Sequence, residues 1–491
     1  MLERAPAFHA LSASQLLFWQ GHQLQPKQPI YNMAWRFDVK MALDPATFEH
    51  AFAGVVSQNV ALRLVFEQHA DRPVQYAKTT QHNLELLDFS ADPSPEQTLQ
   101  QHVEQWVKIP FDLSKSTLRA QLVKLAENHW VWLLCQHHIA CDAQSGALVF
   151  KAVSERYLNE KHAGDALSQT LPDFLSSKPF QITSNSVIPE GHALQPTPPY
   201  GSASKRSGAS ERLSLNLDPD IFDQIETAIT TKEYRLFTPD LSRFALYLTA
   251  YLALLHRVTG DEVITLGLPS HNRLNAADRE TIGLFVEVLP FEVEIAPFES
   301  LDSLHRKVKT ALGAFLRSAK PGAVAQQDTR SIAAILNYIQ ASFGDFAGHP
   351  AEVRWIHSGA QDSQVALRLH VMDFAESQKP SIAIDVVHEV LEQISREDLE
   401  AHFQAMLQAV LRAPHSALNA VQMTQNPSSL AIAQGRAERA DTQATLLDLF
   451  ASTAARIPHE AALNCEGTAQ SYADLAAQSD AIAAHILALK I

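Results

Sequence analysis

Cysteine is nearly absent. The 491 residues include three, Cys135, Cys141 and Cys465. They form no C-x-x-C pair and no even framework, so neither a disulfide scaffold nor a cysteine-bound zinc is expected, and a reducing cytoplasmic setting is the simplest. Long apolar runs are missing too: a stretch such as Phe244 to Leu255 is too short to span a bilayer. The first residues, Met1-Leu2-Glu3-Arg4-Ala5-Pro6, lack the apolar segment of a signal peptide. Basic runs are also lacking. Lys plus Arg is 39 against 54 Asp plus Glu, a formal net charge of −15. That balance argues against nucleic acid as a partner and mainly reports solubility. What remains is an ordinary globular composition, 46% hydrophobic and 19% charged. At roughly 100–200 residues per domain, the length suggests two large folding units or about three smaller ones.

The periodicity alternates between helix and strand. Residues 10–21 repeat apolar positions at helical spacing, with Ser12 or Ser14 able to cap. Residues 31–39 alternate as a strand, and Asp44-Pro45 opens a helix through Val56. Leu62 to Phe66 reads as a strand, with Val74 to Tyr76 extending the sheet. Residues 93–108 read as a helix, and residues 118–125 and 130–136 as strands. The last is apolar enough to be covered on both faces. A helix follows over 143–157. From about 167 to 210 the pattern gives way to Pro, Ser, Thr and Gly, the composition of a linker or crossing loop. A second region then places strands at 213–217, 263–268, 285–295, 332–340, 366–372 and 381–388. Its helices fall at 218–231, 241–259, 300–319 and 395–411. The expected fold class is mixed α/β (α+β).

Chemistry concentrates in His137-His138-Ile139-Ala140-Cys141-Asp142, at the end of the apolar strand and just before a helix. A histidine there can take or steer a proton near neutral pH, beside backbone N–H groups able to meet developing negative charge. Plainer readings stand beside this one. Asp142 can be a helix N-cap or the partner of a cation, and His137 can be a structural histidine bonded in the core. A metal site from His137, His138 and Asp142 is a third reading, although adjacent residues at a strand end point to opposite faces.

Residues 137–143 resemble the HHxxxDG motif of nonribosomal peptide synthetase condensation domains. Leu11-Ser12-Ala13-Ser14-Gln15-Leu16-Leu17-Phe18-Trp19 is similar to the family's "LSxAQxxLW", Tyr31-Asn32 to its "YN", and residues 59–66 to "RHExLRTxF". Pro110-Phe111-Asp112-Leu113 matches "PFDL". Residues 267–273 resemble "GxPxxxR", residues 282–290 "IGxFVNTLP", and Asn337-Tyr338 a later "NY". The motifs keep the family's order over residues 8–415. Four departures stand out: Ala143 replaces Gly, and Glu287 stands where Asn is usual. The aromatic "YxDYAxW" segment survives at best as Leu171-Pro172-Asp173-Phe174, and the "FDL" after "NY" as residues 364–367.

The resemblance implies two chloramphenicol-acetyltransferase-like lobes in a V with a central tunnel. The N-terminal lobe is expected over 1–175, a crossing loop over 176–211, the C-terminal lobe over 212–415 and a linker over 416–443. It implies His138 as the catalytic residue, supported by His137, Asp142 and Arg273, with Arg273 paired to Asp142. Ser145, Gly146, Glu287 and Asn337 are the acceptor or tunnel candidates. No metal and no bound cofactor are expected. Phosphopantetheine arms of donor and acceptor carrier proteins would deliver the thioesters, and amide formation is the expected reaction. Ester formation, transfer from coenzyme A to a soluble acceptor, and a non-catalytic carrier-docking platform are the alternatives. A monomer with no nucleic acid and no membrane contact is expected. With Met1 so near the first motif, a chain starting there would receive its donor in trans, a fatty-acyl starter among the options.

Residues 444–491 resemble the truncated start of an adenylation domain. The matching segments are Thr445-Leu446-Leu447-Asp448-Leu449-Phe450, Ile457-Pro458 and the "LTYxEL"-like Gln470-Ser471-Tyr472-Ala473-Asp474-Leu475. The plain alternative is an amphipathic helical tail. The resemblance implies a downstream adenylation domain, with ATP and Mg bound only in its remainder.

Overall fold

The computed structural model describes residues 7–79, 84–161, 174, 197–202, 206–296, 298–326, 332–374, 379–423, 445–465 and 468–489. Most of the 176–211 crossing loop lies outside them. The chain divides into two compact units, Met1–Gln425 and Asn426–Ile491.

The first unit is mixed α/β and holds two principal sheets, each with its own core. One has five strands in the order Ala351–Ile356, Asn32–Val39, His129–His137, Leu118–Ala126 and Glu85–Asp88. All neighbours are antiparallel except the last pair. Helices Pro45–Gln58 and Ala143–Lys161 pack against it. The first opens as its sequence prescribes, with Asp44 accepting the Ala46 N–H and Pro in the first turn.

The other sheet has six strands in the order Glu287–Glu294, Val263–Ser270, Ala334–Gln340, Leu367–Asp373, Ser381–Val387 and Ser210–Leu215. Its core helix, Pro239–Thr259, is capped by Thr238, starts on Pro and Asp, and stops at Gly260 with φ +78°. Leu301–Ser318 and Arg396–Arg412 flank it.

The stretch 31–39 forms the expected strand, Asn32–Val39, with all eight residues buried. On its polar side Arg36 donates to Asp38 (2.7 Å) and Glu96 (2.9 Å). Three expectations need correction. Arg72–Ala77 does not extend the main sheet. It forms a separate small one with Leu64–His69 and His9–Ala10. The C-terminal lobe does not run unbroken from 212 to 415, because Ala351–Ile356 pairs with Asn32–Val39 along that strand's free edge, and Phe343 and Phe346 enter the first core. Finally, 416–423 is packed structure rather than linker. Leu418 is buried, and Arg257 donates to the carbonyls of Leu418 (2.6 Å) and Val421 (2.9 Å).

The second unit contains helix Leu446–Arg456, the hairpin Ala461–Cys465 with Thr468–Ser471, and helix Tyr472–Ala488. Each helix starts with a reciprocal capping box, Thr445 with Asp448 and Ser471 with Asp474. Among the described residues of both units, no helix is long and apolar enough to cross a membrane.

Candidate active site

The motif turn sits where strand His129–His137 hands over to helix Ala143–Lys161. The His138 N–H donates to the Tyr31 carbonyl (2.8 Å), holding the turn to the neighbouring strand's start. The His138 Nδ1 lies 2.9 Å from the Cys141 carbonyl. A carbonyl only accepts, so Nδ1 carries the proton and Nε2 is left with its lone pair. Phe18 stacks on the imidazole with centroids 4.7 Å apart and planes at 20°. Burial lowers the His138 pKa from 6.5, opposed by the Asp142 charge, so the ring is neutral at pH 7.

His137 is oriented differently. Its Nδ1 accepts the Ile139 N–H (3.1 Å), and its ring packs among His22, Tyr31 and Phe111. Burial holds its pKa well below 6.5. It braces the turn from the core side. Among the described residues no three His, Cys, Asp or Glu side chains converge as metal ligands.

Asp142 combines both of its plainer readings. Its Oδ1 accepts the Ser145 N–H (2.9 Å), capping the helix, and also takes the Arg273 Nη2 (2.8 Å). Its Oδ2 accepts the same Nη2 (2.9 Å) and the Phe285 N–H (3.2 Å). Arg273 further donates Nη1 to the carbonyls of Asp278 (2.5 Å) and Thr281 (2.6 Å), and its guanidinium lies 4.3 Å from the Phe285 ring centroid. Phe174, from the remnant of the aromatic motif, packs on Phe285 and fills the space over Gly283. Ala143 is the first residue of its helix and is not among the positive-φ residues, so the turn does not need glycine there.

His138 lines a cavity of about 390 Å³ at the junction of the two halves of the first unit. Glu287 and Asn337 line it as well. Glu287 is buried, accepts the N–H groups of Gly322 (2.8 Å) and Val324 (3.3 Å) and the Ser14 hydroxyl (3.3 Å), and burial raises its pKa. Asn337 donates to His370 (3.3 Å), which in turn donates to Asp385 (2.8 Å).

The placement of Ser145 and Gly146 on the tunnel is corrected. Neither lines this cavity. Ser145 is fully buried in the clamp, donating to Asp142 or the Gly283 carbonyl (2.8 Å each) and accepting the Gly283 N–H (3.0 Å). Gly146 faces Trp35, where a Cβ would stand 2.7 Å from the indole nitrogen. Further lining residues lie outside the site candidates read from the sequence, among them Phe18, Tyr31 and Arg368. Tyr31 fits because Gly21 has no side chain, a Cβ there falling 2.0 Å from the phenol oxygen.

Comparison with known proteins matches this arrangement to one family. A profile described as "Condensation domain" covers residues 7–178 and 188–432. The chain is similar to the dimodular nonribosomal peptide synthase of Bacillus subtilis (strain 168), at 22% identity over 97% of the chain and 21% of the relative. It is also similar to the isonitrile lipopeptide synthase of Streptomyces coeruleorubidus, at 25% identity over 85% of the chain and 29% of the relative. It therefore spans less than a third of these curated relatives. A solved structure, a variant of the starter condensation domain of rhizomide synthetase in complex with C8-CoA, matches with TM-score 0.71 and 21% identity, covering 85% of this chain and 98% of that one. The first condensation domain of the calcium-dependent antibiotic synthetase, with a substrate analogue, gives TM-score 0.67 and 17% identity over 85% and 99%. At these identities the two structures establish the fold.

Proposed function

The chain belongs to the condensation-domain family of nonribosomal peptide synthetases, and we propose that His138 serves as its general base in joining an acyl thioester to an amine. The amine nitrogen attacks the thioester carbonyl, the C–N bond forms, and the C–S bond breaks with the thiolate leaving. The proton shed by nitrogen goes to His138 Nε2 and then to the departing sulfur. The observation that carries this reading is the Nδ1–H to Cys141 carbonyl bond, which fixes the tautomer and frees Nε2 at the cavity wall. Holding two tethered reactants together supplies much of the rate, since a thioester is already activated.

In this reading the cavity is the middle of a tunnel between two lobes set in a V. Donor and acceptor carrier proteins insert their phosphopantetheine arms from its two ends. His137, Asp142 and Arg273 hold the turn, while Glu287 and Asn337 shape the wall. The Asn426–Ile491 unit is the opening of an adenylation domain. Its exposed Leu446, Leu447 and Leu487 are apolar surface that the rest of such a domain would cover.

The test is a condensation assay with a loaded donor carrier and an aminoacyl acceptor carrier, read by product mass. Amide product is expected, with His138→Ala slowed by about 10²–10⁴-fold. An unchanged rate in His138→Ala would sink the assignment, and product formed only from coenzyme A and soluble amines would point to a different acyltransferase.

A further inference from the structure

Arg368 lies on strand Leu367–Asp373, in the phase opposite to the core residues Leu367, Leu369 and Val371. It stands across from Ile335 of the neighbouring strand, two positions before the Asn337–His370 pair. Ile335, Asn337 and Arg368 all line the cavity that holds His138.

What sets Arg368 apart is the lack of a partner. Other buried or half-buried guanidiniums beside the two sheets are bonded, to carboxylates (Arg36 to Asp38, Arg212 to Asp385, Arg273 to Asp142) or to backbone carbonyls (Arg119 to Trp106, Arg257 to Leu418 and Val421). Arg368 donates no side-chain hydrogen bond and joins no ion pair among the described residues, and its Nε is buried without an acceptor. The nearby acids are committed or turned elsewhere. Asp385 holds Arg212 (2.7 Å) and His370 (2.8 Å), and Asp362 accepts the Gln364 N–H (2.9 Å) at its own turn. Glu287, the remaining carboxylate on the wall, is taken up by Gly322, Val324 and Ser14. Tyr31 and His138 also face the guanidinium across the cavity, and both are neutral at pH 7. The charges of Asp385 and Asp362 favour the Arg368 cation from a distance, but neither bonds it, and a desolvated cation with no bonded counter-ion is costly unless a ligand supplies one.

We propose that Arg368 is a specificity residue, selecting a substrate whose acyl or aminoacyl part carries a carboxylate. A planar guanidinium with free N–H groups suits that group in particular. The phosphate of a pantetheine arm does not suit the position, because the thioester at the other end of the arm has to reach His138. This inference rests on the condensation reading for the identity of the substrate.

The test uses the full chain and matched small thioesters lacking any phosphate. One arm compares glutamyl with glutaminyl acceptors against a neutral donor. The other compares glutaryl with pentanoyl donors against a neutral acceptor. Binding is followed by thermal shift and turnover by product mass. In one arm the carboxylate member is expected to be favoured about tenfold, ~1.4 kcal/mol. Arg368→Gln should bring that ratio towards one, and Arg368→Lys should restore part of it, which a merely structural defect would not do. No preference in either arm, or a preference that survives Arg368→Gln, overturns the proposal. A binding preference without product from any pair leaves the anion site standing and overturns the condensation reading instead.

Discussion

Replacing Asp142 with Asn removes a charge and almost no volume, so the loss can be read directly from the clamp. Asp142 and Arg273 are each 4% exposed. In Asp142→Asn the amide NH₂ faces the donor Arg273 Nη2 in either orientation, together with the Ser145 N–H in one and the Phe285 N–H in the other. Arg273 keeps the carbonyls of Asp278, Thr281 and Gly283 but loses its only counter-ion among the described residues. Breaking a buried pair by removing one partner costs about 3–5 kcal/mol, and the surviving carbonyls put this case near 3 kcal/mol. The assay is urea unfolding followed by tryptophan fluorescence. All six tryptophans lie in the first unit, so the signal reports that unit alone. Product formation should fall as well, by roughly ten- to a hundredfold in kcat with KM nearly unchanged. Asp142 does not touch the imidazole, but its clamp anchors the chain directly after Cys141, whose carbonyl orients His138. The double variant Asp142→Leu/Arg273→Met should regain stability relative to either single change without regaining turnover. If Asp142→Asn unfolds within about 0.5 kcal/mol of the parent and turns over normally, the clamp is not what holds the turn.

Two further outcomes follow from packing and from protonation. Gly146→Ala puts a methyl 2.7 Å from the Trp35 nitrogen, and that indole is fully buried against Phe343 and Trp355, so about 1–3 kcal/mol should be lost in the same urea titration; an unchanged midpoint would show that the ring can yield. Lowering the pH should weaken the fold and, with His138 as the proposed base, slow turnover in the same direction. Burial holds His305 and His370 neutral down to about 4, against 6.5 for a free imidazole. Between those values the unfolded chain binds more protons than the folded one, so stability declines as pH falls from 6.5 towards 4. The His138 pKa is also lowered, so the acid limb of kcat should lie below pH 6.5. Flat stability over that window, or a limb above 6.5, would contradict the burial described.

Local signals were readable where they were complete in a short stretch. Helix Pro239–Thr259 has its cap, its Pro start and its Gly stop within one run. The His137–Asp142 turn likewise carries its own geometry, because strand and helix meet within six residues. The errors came from contacts made across the chain. Ser145 and Gly146 follow the motif closely, and nearness in sequence suggested nearness to substrate. On a helix, however, the positions three and four past Asp142 turn inward, towards the clamp and Trp35. Ala351–Ile356 is half-exposed and polar at Glu352 and Arg354, so nothing within it signals that it completes a sheet begun at residue 32. Arg368 was within reach of sequence reasoning. It shares a strand phase with His370 and opposes the core phase, a pattern that marks a polar side chain on an enclosed face.

These cross-chain contacts explain why the turn and the second half cannot be understood separately. The motif brings a neutral imidazole to a cavity, but the charge that stabilises its turn is balanced by Arg273, 131 positions later. Arg273 in turn is held by carbonyls of its own loop and by the Phe285 ring, on which Phe174 packs. The strand that edges the first sheet also comes from the second half, and Ser154 accepts the Ala347 N–H (2.8 Å) beside it. A shift of one half against the other would therefore pull on Asp142 before it pulled on His138. The ion pair is better understood as the joint through which the two halves fix the cavity than as a member of the reacting group, and a neutral replacement is therefore expected to restore stability without restoring turnover.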